Sequence, residues 1–470
     1  MPPLPARAKV PQGRRLRELF PSMDTEARVQ RLRSHPTTPL DHLNAQARHG
    51  VNRALTLMAP EWVAGRLTSG QAVREHRSRV PRGHQKRPRV VFFAEIPTPY
   101  ILPVLGELSK LVELTVLFGA ARGSRGMDWK LEPSGFRHSF VGGLVLQRSR
   151  TSGTDVYVDP RVMVAITRAR PEVVIVPAFS LPTAYAALHG ALTGSRLLIY
   201  STGTSLTEST LGRGQRLARR LLIGRAAGCV GLSTDAVRRF MELGCPESRI
   251  FRAPHSTALG RLRAAGAARE PAPAGSLRVL AVSRLIPRKG IDSVIEAVGL
   301  ARAGEPGITL DIVGTGPEEG HLRALAARCA PEAVRFHGFI DQPRLPSLYR
   351  DADVFALPSR RDQFGVAALE AAAAGLPLLA SVHAGATTDL VGDGHSGFVI
   401  DPDDVRAFAD RLLRLARDRD LRLAMGTAAR QRTDAHEPDV AARGYATAID
   451  YALTTGPRAP RLLKPLRRVA

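Results

Sequence analysis

Residues 277–314 read LRVLAVSRLIPRKGIDSVIEAVGLARAGEPGITLDIVG. LRVLAVS and ITLDIVG are short apolar runs rich in β-branched residues, and a helical stretch is expected between them near 290–303. The same alternation continues through AVRFHG, DVFALPS and PLLAS, with helices expected near 317–329, 343–351, 365–374 and 403–418. It also runs toward the N-terminus. RVVFFAE, VELTVLF, EVVIVPA, RLLIYST and GCVGLS are strand candidates between positions 89 and 233, several of them separated by helical stretches. Strands that are apolar throughout and alternate with helices predict parallel sheets covered on both faces. The Pro- and Ala-rich linker EPAPAGS at 270–276 divides the two series. The expected fold class is α/β, with two Rossmann-like doubly wound domains over 89–270 and 271–435. Ligands of such sheets lie outside the strands' carboxyl ends, here in the cleft between the domains.

Composition narrows the function classes. With 44% hydrophobic residues in 470, the chain has ample material for sizeable cores, which excludes global disorder. Aromatics at 5% argue against a binder that stacks single-stranded bases on ring platforms. The net charge of +24 is concentrated at the ends: +12 on residues 1–89, +5 on the last twenty, and +7 on the 361 between them. Residues 1–88 read as a basic, largely irregular extension, and 457–470 as a basic tail. Val51, Leu55, Met58 and Trp62 recur at helical spacing within the extension, with Pro60 interrupting them. Two basic tails suit an anionic membrane surface, at roughly 1 kcal/mol per engaged cation. Nucleic acid is the weaker match.

No apolar run approaches the length of about 18 residues that suggests a membrane span, and MPPLPARAKV lacks a signal-peptide apolar region. The expected location is therefore cytoplasmic, with peripheral contact to the inner face of the membrane. Cys229, Cys245 and Cys329 form no CxxC pair and read as free thiols.

The loops after the strands of the second series carry the chemistry. Arg284 and Lys289 stand five residues apart between a strand and a helix, where a guanidinium fork, an ammonium and helix N–H groups can converge on a diphosphate. Gly314 and Gly316 follow ITLDIV; they fit either a close backbone approach to a ligand or a plain tight turn. The densest segment is PSRRDQFGVAALEAAAAGLP at 358–377. Asp362 precedes Gly365 and Glu370 follows it by five residues. Eight residues of continuous helix would separate the two acids by about 12 Å. That exceeds the roughly 5–9.5 Å of paired glycosidase carboxylates, so gripping hydroxyls suits them better than hydrolysis.

At this point the chain resembles glycosyltransferase family 4, retaining enzymes of the GT-B fold. The family signature is a Glu, seven residues and a second Glu, with Phe-Gly inside and Gly-x-Pro after. Here it becomes Asp362, Phe364, Gly365, Glu370, Gly375 and Pro377. VSRLIPRKG, VGTGPEE and GFIDQPRLPSLYRDADVFALPS precede it in the family's order. The resemblance implies transfer of a sugar from a nucleotide-diphospho-sugar donor to a glycan or lipid-linked acceptor, with no cofactor and no obligatory metal. It implies Arg284 and Lys289 on the diphosphate, Glu370 on the ribose, and Asp362 with the backbone of Phe364, Gly365 and Val366 on the donor sugar. It also implies a helix over 436–456 that returns to the first domain. Asp362 is one methylene shorter than the family's Glu, and Tyr200 to Thr204 stand where many members carry a His. Glu95 and Glu208 are the acceptor-side candidates.

Three other readings are weighed: a silent scaffold that binds a nucleotide-sugar or membrane partner, a nucleotide-sugar epimerase or hydrolase, and a nucleic-acid binder. Asp351 and Asp353 mimic a metal-binding Asp-x-Asp but suit capping between a helix and a strand. Asp401, Asp403 and Asp404 suit a helix N-terminus.

Overall fold

A computed structural model describes residues 87–120, 133–141, 144–147, 155–158, 161–177 and 179–457. The amphipathic stretch around Val51 and nearly all of the two basic ends lie outside the described residues.

The first sheet comprises β1 (Arg89–Ala94), β2 (Glu113–Phe118), β3 (Arg137–Phe140), β6 (Val173–Pro177), β7 (Arg196–Ser201), β8 (Gly228–Gly231) and β9 (Ile250–Arg252), in the order β3-β2-β1-β6-β7-β8-β9. Every neighbouring pair is parallel. A separate antiparallel pair is formed by β4 (Leu144–Gln147) and β5 (Asp155–Val158). The second sheet has β10 (Ser276–Val282), β11 (Gly307–Val313), β12 (Val334–Gly338), β13 (Val354–Leu357), β14 (Leu378–Ser381) and β15 (Gly397–Ile400) in the order β12-β11-β10-β13-β14-β15, again all parallel.

The strands are apolar throughout because both faces are covered. Successive strand side chains point to opposite faces, so Val90, Phe92 and Ala94 join one core cluster while Val91 and Phe93 join another. In β10, Leu277, Val279 and Ala281 go to one side and Leu280 to the other. The ten apolar runs all become strands. Among the strands without an expectation, β3 is the exposed edge segment RHSF, β9 spans three residues, and β15 is the short buried run GFVI. The unexpected helix Arg419–Arg432 packs through Met425, Gly426, Ala428 and Ala429, a face too small-sided to stand out in the sequence.

Helix Pro438–Thr454 lies on the first sheet, although the second sheet immediately precedes it in the chain. Its Ala441, Ala442, Tyr445, Ala448 and Ile449 share a cluster with Val90, Phe92 and Leu105. Asp353 is not a cap: its carboxylate is buried, accepts from the Ala272 N–H at 2.9 Å and pairs with Arg278 at 2.7 Å. It ties the linker to β10. Asp404 does cap, accepting from the Ala407 N–H at 2.9 Å.

Candidate functional site

β10 ends at Val282, and half-buried Arg284 follows at the carboxyl edge of the second sheet. A single 3-10 turn, Pro287–Lys289, then carries Lys289. The adjacent loop after β11 presses onto this one. Gly314 has φ +131°, and a Cβ there would sit 1.9 Å from the Ser283 carbonyl oxygen; one on Gly316 would sit 2.1 Å from that of Leu285. The Leu285 N–H donates to the Thr315 carbonyl at 3.0 Å, and the Glu318 N–H to that of Leu285 at 3.1 Å. Both glycines thus shape the loop that bears Arg284, because their missing side chains make room for protein backbone.

The loop after β13 holds Asp362. Its backbone bridges to Ala384, which fixes its direction. Its side chain turns inward: Oδ2 accepts from Lys289 Nζ at 2.5 Å and from Ser359 Oγ at 3.3 Å. Burial opposes ionisation of Asp362, but the Lys289 and Arg288 cations and the Ser359 hydroxyl outweigh it and hold the carboxyl below its ordinary range. Two groups expected on separate parts of a ligand therefore bond to each other. The intervening loop keeps Asp362 out of any helix shared with Glu370.

Gly365, at φ +97°, starts helix Val366–Ala373, whose first N–H groups lack intrahelical acceptors and carry partial positive charge. Glu370 lies inside this helix, buried, with Oε2 accepting from the Tyr349 hydroxyl at 2.8 Å. Burial pushes its carboxyl up to about 7, against the pull of hydrogen bonds from Tyr349 and Gln342. Phe364 points the other way. Its buried ring stacks on His255 at 4.5 Å and lies 5.9 Å from His436, whose Nδ1 donates to the His255 carbonyl at 2.7 Å. Burial and the neighbouring His436 lower His255 to about 4.

The two sheets meet around these loops. Thr202 Oγ1 donates to Gln363 Oε1 at 3.0 Å, and Arg361 Nη2 donates to Ser209 Oγ at 3.3 Å. Asp389 accepts from Thr234 Oγ1 at 2.5 Å and pairs with Arg252 at 3.1 Å. A cleft of about 260 Å³ opens beside them, lined by Thr204, Ser205, Asp235, Arg238, Glu242 and, across the gap, His383. Glu208 is not a loose acceptor-side acid, because it pairs with Arg219 and, at 2.8 Å, with Arg239. Glu95 is exposed just beyond β1. Sequence reading missed Tyr349, His255, His436 and Asp389. Each lies outside the signature motif: Tyr349, His255 and His436 are revealed by contact with Glu370 or Phe364, and Asp389 by its bonds to Thr234 and Arg252.

Comparison with known proteins gives this arrangement a family. Residues 267–432 match the family described as glycosyl transferases group 1. A GDP-mannose-dependent alpha-(1-6)-phosphatidylinositol monomannoside mannosyltransferase of Mycobacterium tuberculosis is 33% identical over 270 residues, covering 53% of this chain and 68% of that protein. The enzyme of the same name from Mycolicibacterium smegmatis is 31% identical over 354 residues, covering 70% and 88%.

The chain belongs to the group 1 glycosyl transferases.

The fold of this glycosyltransferase agrees with solved structures. Anabaena Alr3699/HepE, crystallised with UDP and glucose, superposes with a TM-score of 0.62 at 18% identity, covering 77% of this chain and 99% of that one. WaaG, a glycosyltransferase involved in lipopolysaccharide biosynthesis, gives 0.54 at 18% identity over 78% and 100%. At such identities the likeness establishes the fold: GT-B, two Rossmann-like domains facing across a cleft.

Proposed function

We propose that this glycosyltransferase is a retaining family 4 enzyme. It moves a sugar from a nucleotide-diphospho-sugar donor to a glycan or lipid-linked acceptor in cell-envelope or exopolysaccharide biosynthesis. The donor domain is 271–435, the acceptor domain is 89–270, and residues 436–456 cross back to the latter. The observation that carries this reading is the convergence at the carboxyl edge of the second sheet: Arg284 and Lys289 after β10, and the start of helix Val366–Ala373 after β13. Two cations and a helix N-terminus suit a diphosphate.

In this reading Arg284 and Lys289 take the diphosphate and stabilise the charge that builds on the leaving phosphate as the glycosidic bond breaks. Asp362 and the backbone of Phe364, Gly365 and Val366 hold the sugar, and Glu370 takes the ribose. Gly314 and Gly316 support the Arg284 loop. The leaving-group oxygen accepts the acceptor's proton, so no protein nucleophile, metal or cofactor is assigned. Fixing donor and acceptor in one geometry supplies much of the remaining rate.

Because the mycobacterial relatives are named for GDP-mannose and a phosphatidylinositol monomannoside, these are the first donor and acceptor to test. The protein works at the cytoplasmic side, peripheral to the membrane. Thermal stabilisation of the purified chain by a panel including GDP-mannose and UDP-glucose tests the donor site. A shift with at least one member that Arg284→Ala removes is the expected result; no shift with any member overturns the reading.

A further inference from the structure

We propose, on the reading above in which the Asp362 loop holds the donor sugar, that Glu208 of the first domain is a positioning residue for that loop. Residues 202–212, which follow β7, contain no helix or strand. Such a stretch needs side-chain bracing to keep one conformation against its backbone entropy. Glu208 supplies the brace. Its carboxylate is 11% exposed and pairs with Arg219 on helix Arg213–Arg225 and, at 2.8 Å, with Arg239 on helix Thr234–Glu242. Each arginine is itself held. The Arg219 guanidinium lies 4.7 Å from the centre of the Phe179 ring, and Arg239 also pairs with Glu242 at 3.0 Å. Glu242 in turn accepts from Ser205 Oγ at 2.6 Å, which ties the loop down a second time. A Cβ on Gly203 would sit 2.5 Å from Glu208 Oε1, so the carboxylate packs directly against the backbone beside Thr202.

The braced stretch reaches across the cleft at both ends. Thr202 Oγ1 donates to Gln363 Oε1 at 3.0 Å, and Ser209 Oγ accepts from Arg361 Nη2 at 3.3 Å. Arg361 and Gln363 are the chain neighbours of Asp362 on either side. Ser209 adjoins Glu208, and Thr202 adjoins the glycine on which the Glu208 carboxylate rests. The second domain holds Asp362 through its backbone bridge to Ala384 and its bond to Lys289. The first domain adds a contact on each flank, and Glu208 sets where those two contacts fall. An acid one methylene shorter than the family's Glu reaches less far, so the placement of its loop counts for more. Glu208 itself touches no part of the donor in this arrangement and acts through Thr202 and Ser209.

The test is calorimetric titration of the full chain with GDP-mannose against GDP and with UDP-glucose against UDP. Each pair differs by the sugar, and wild type is expected to bind one pair. Glu208→Gln keeps the shape, removes the charge that two arginines share and turns one oxygen into a donor facing a guanidinium. It should weaken the nucleotide-sugar about fivefold while leaving the nucleoside diphosphate within about twofold, because the displaced loop contacts only the sugar. Thr202→Val with Ser209→Ala leaves every Glu208 pair in place and should reproduce that selective loss. Adding Glu208→Gln to this pair should then cost little more. Equal weakening of both ligands by Glu208→Gln would mark a purely structural role and overturn the proposal, as would an unchanged ratio. Should Glu208→Gln fail to fold, the Thr202→Val/Ser209→Ala variant decides by the same ratio. Absence of wild-type binding to either pair overturns the donor reading itself, and this proposal with it.

Discussion

Lys289 and Asp362 are 73 residues apart in the chain and 2.5 Å apart in space, with only 14% and 10% of their side chains exposed. One follows β10 and the other follows β13, and these strands are neighbours in the second sheet. Removing one partner of such a pair strands the other charge away from water. Lys289→Met is expected to destabilise the fold by about 3–5 kcal/mol, whereas the double variant Lys289→Met/Asp362→Asn should lose less than the sum of the singles. Urea denaturation of the four proteins checks this, and strictly additive losses would refute the coupling. Since Asp362 is held below its ordinary range, its contribution is present at neutral pH and is lost only as pH falls through that lowered value.

Arg284 is half-buried on a loop braced by backbone bonds that do not involve its side chain. Arg284→Ala should lower kcat by about 10²–10³, the range found for removing a group that stabilises transition-state charge. The far-ultraviolet circular dichroism should remain near wild type. Near-wild-type turnover with the correct donor would remove the proposed diphosphate clamp.

Glu370 gives the opposite pH signature to Asp362. Its carboxyl titrates near 7 in the fold and at about 4.5 when unfolded, so the folded state holds the proton more tightly. The stabilisation this provides is complete below pH 4.5 and is lost as pH rises through 7. Glu370→Gln should therefore flatten the decline in stability between pH 5 and 8, by roughly 3 kcal/mol at most. Denaturant midpoints across that range measure it; parallel profiles for variant and wild type would contradict the buried carboxylic acid.

Asp389 joins the two domains through Thr234 and Arg252, with its side chain almost fully buried. Asp389→Ala leaves those donors unmatched, at about 1–3 kcal/mol, and loosens the contact between domains. A lower melting temperature and a larger radius of gyration in X-ray scattering are expected. Unchanged scattering would show that the stack of Phe364 on His255 and the other cross-cleft bonds suffice.

Much of the fold was legible because its strands are buried on both sides and need no context to be recognised: RVVFFA and LRVLAV can do little else in water. The site was legible in part. Arg284, Lys289 and the Gly365 turn sit where strands end and helices begin, and strand–loop–helix order is a local property of the chain. Edge strand β3 and the small-sided helix Arg419–Arg432 were not legible, since exposure and close backbone packing leave no apolar period.

By itself, then, the sequence determined most of the buried strands, several of the helices between them, and which loops carry charge at the strands' carboxyl ends. Only the tertiary structure decided partners. That Lys289 meets Asp362 follows from β10 lying beside β13. That Glu370 bonds Tyr349 while Phe364 stacks on His255 follows from how one loop and helix pack against two domains. Helix Pro438–Thr454 returns to the first sheet because its alanine-rich face fits the cluster of Phe92 and Leu105. Each outcome depends on strand order and on surfaces far apart in the chain. Hydrophobic periodicity reports how a segment is buried, and it carries no information about which distant surface buries it.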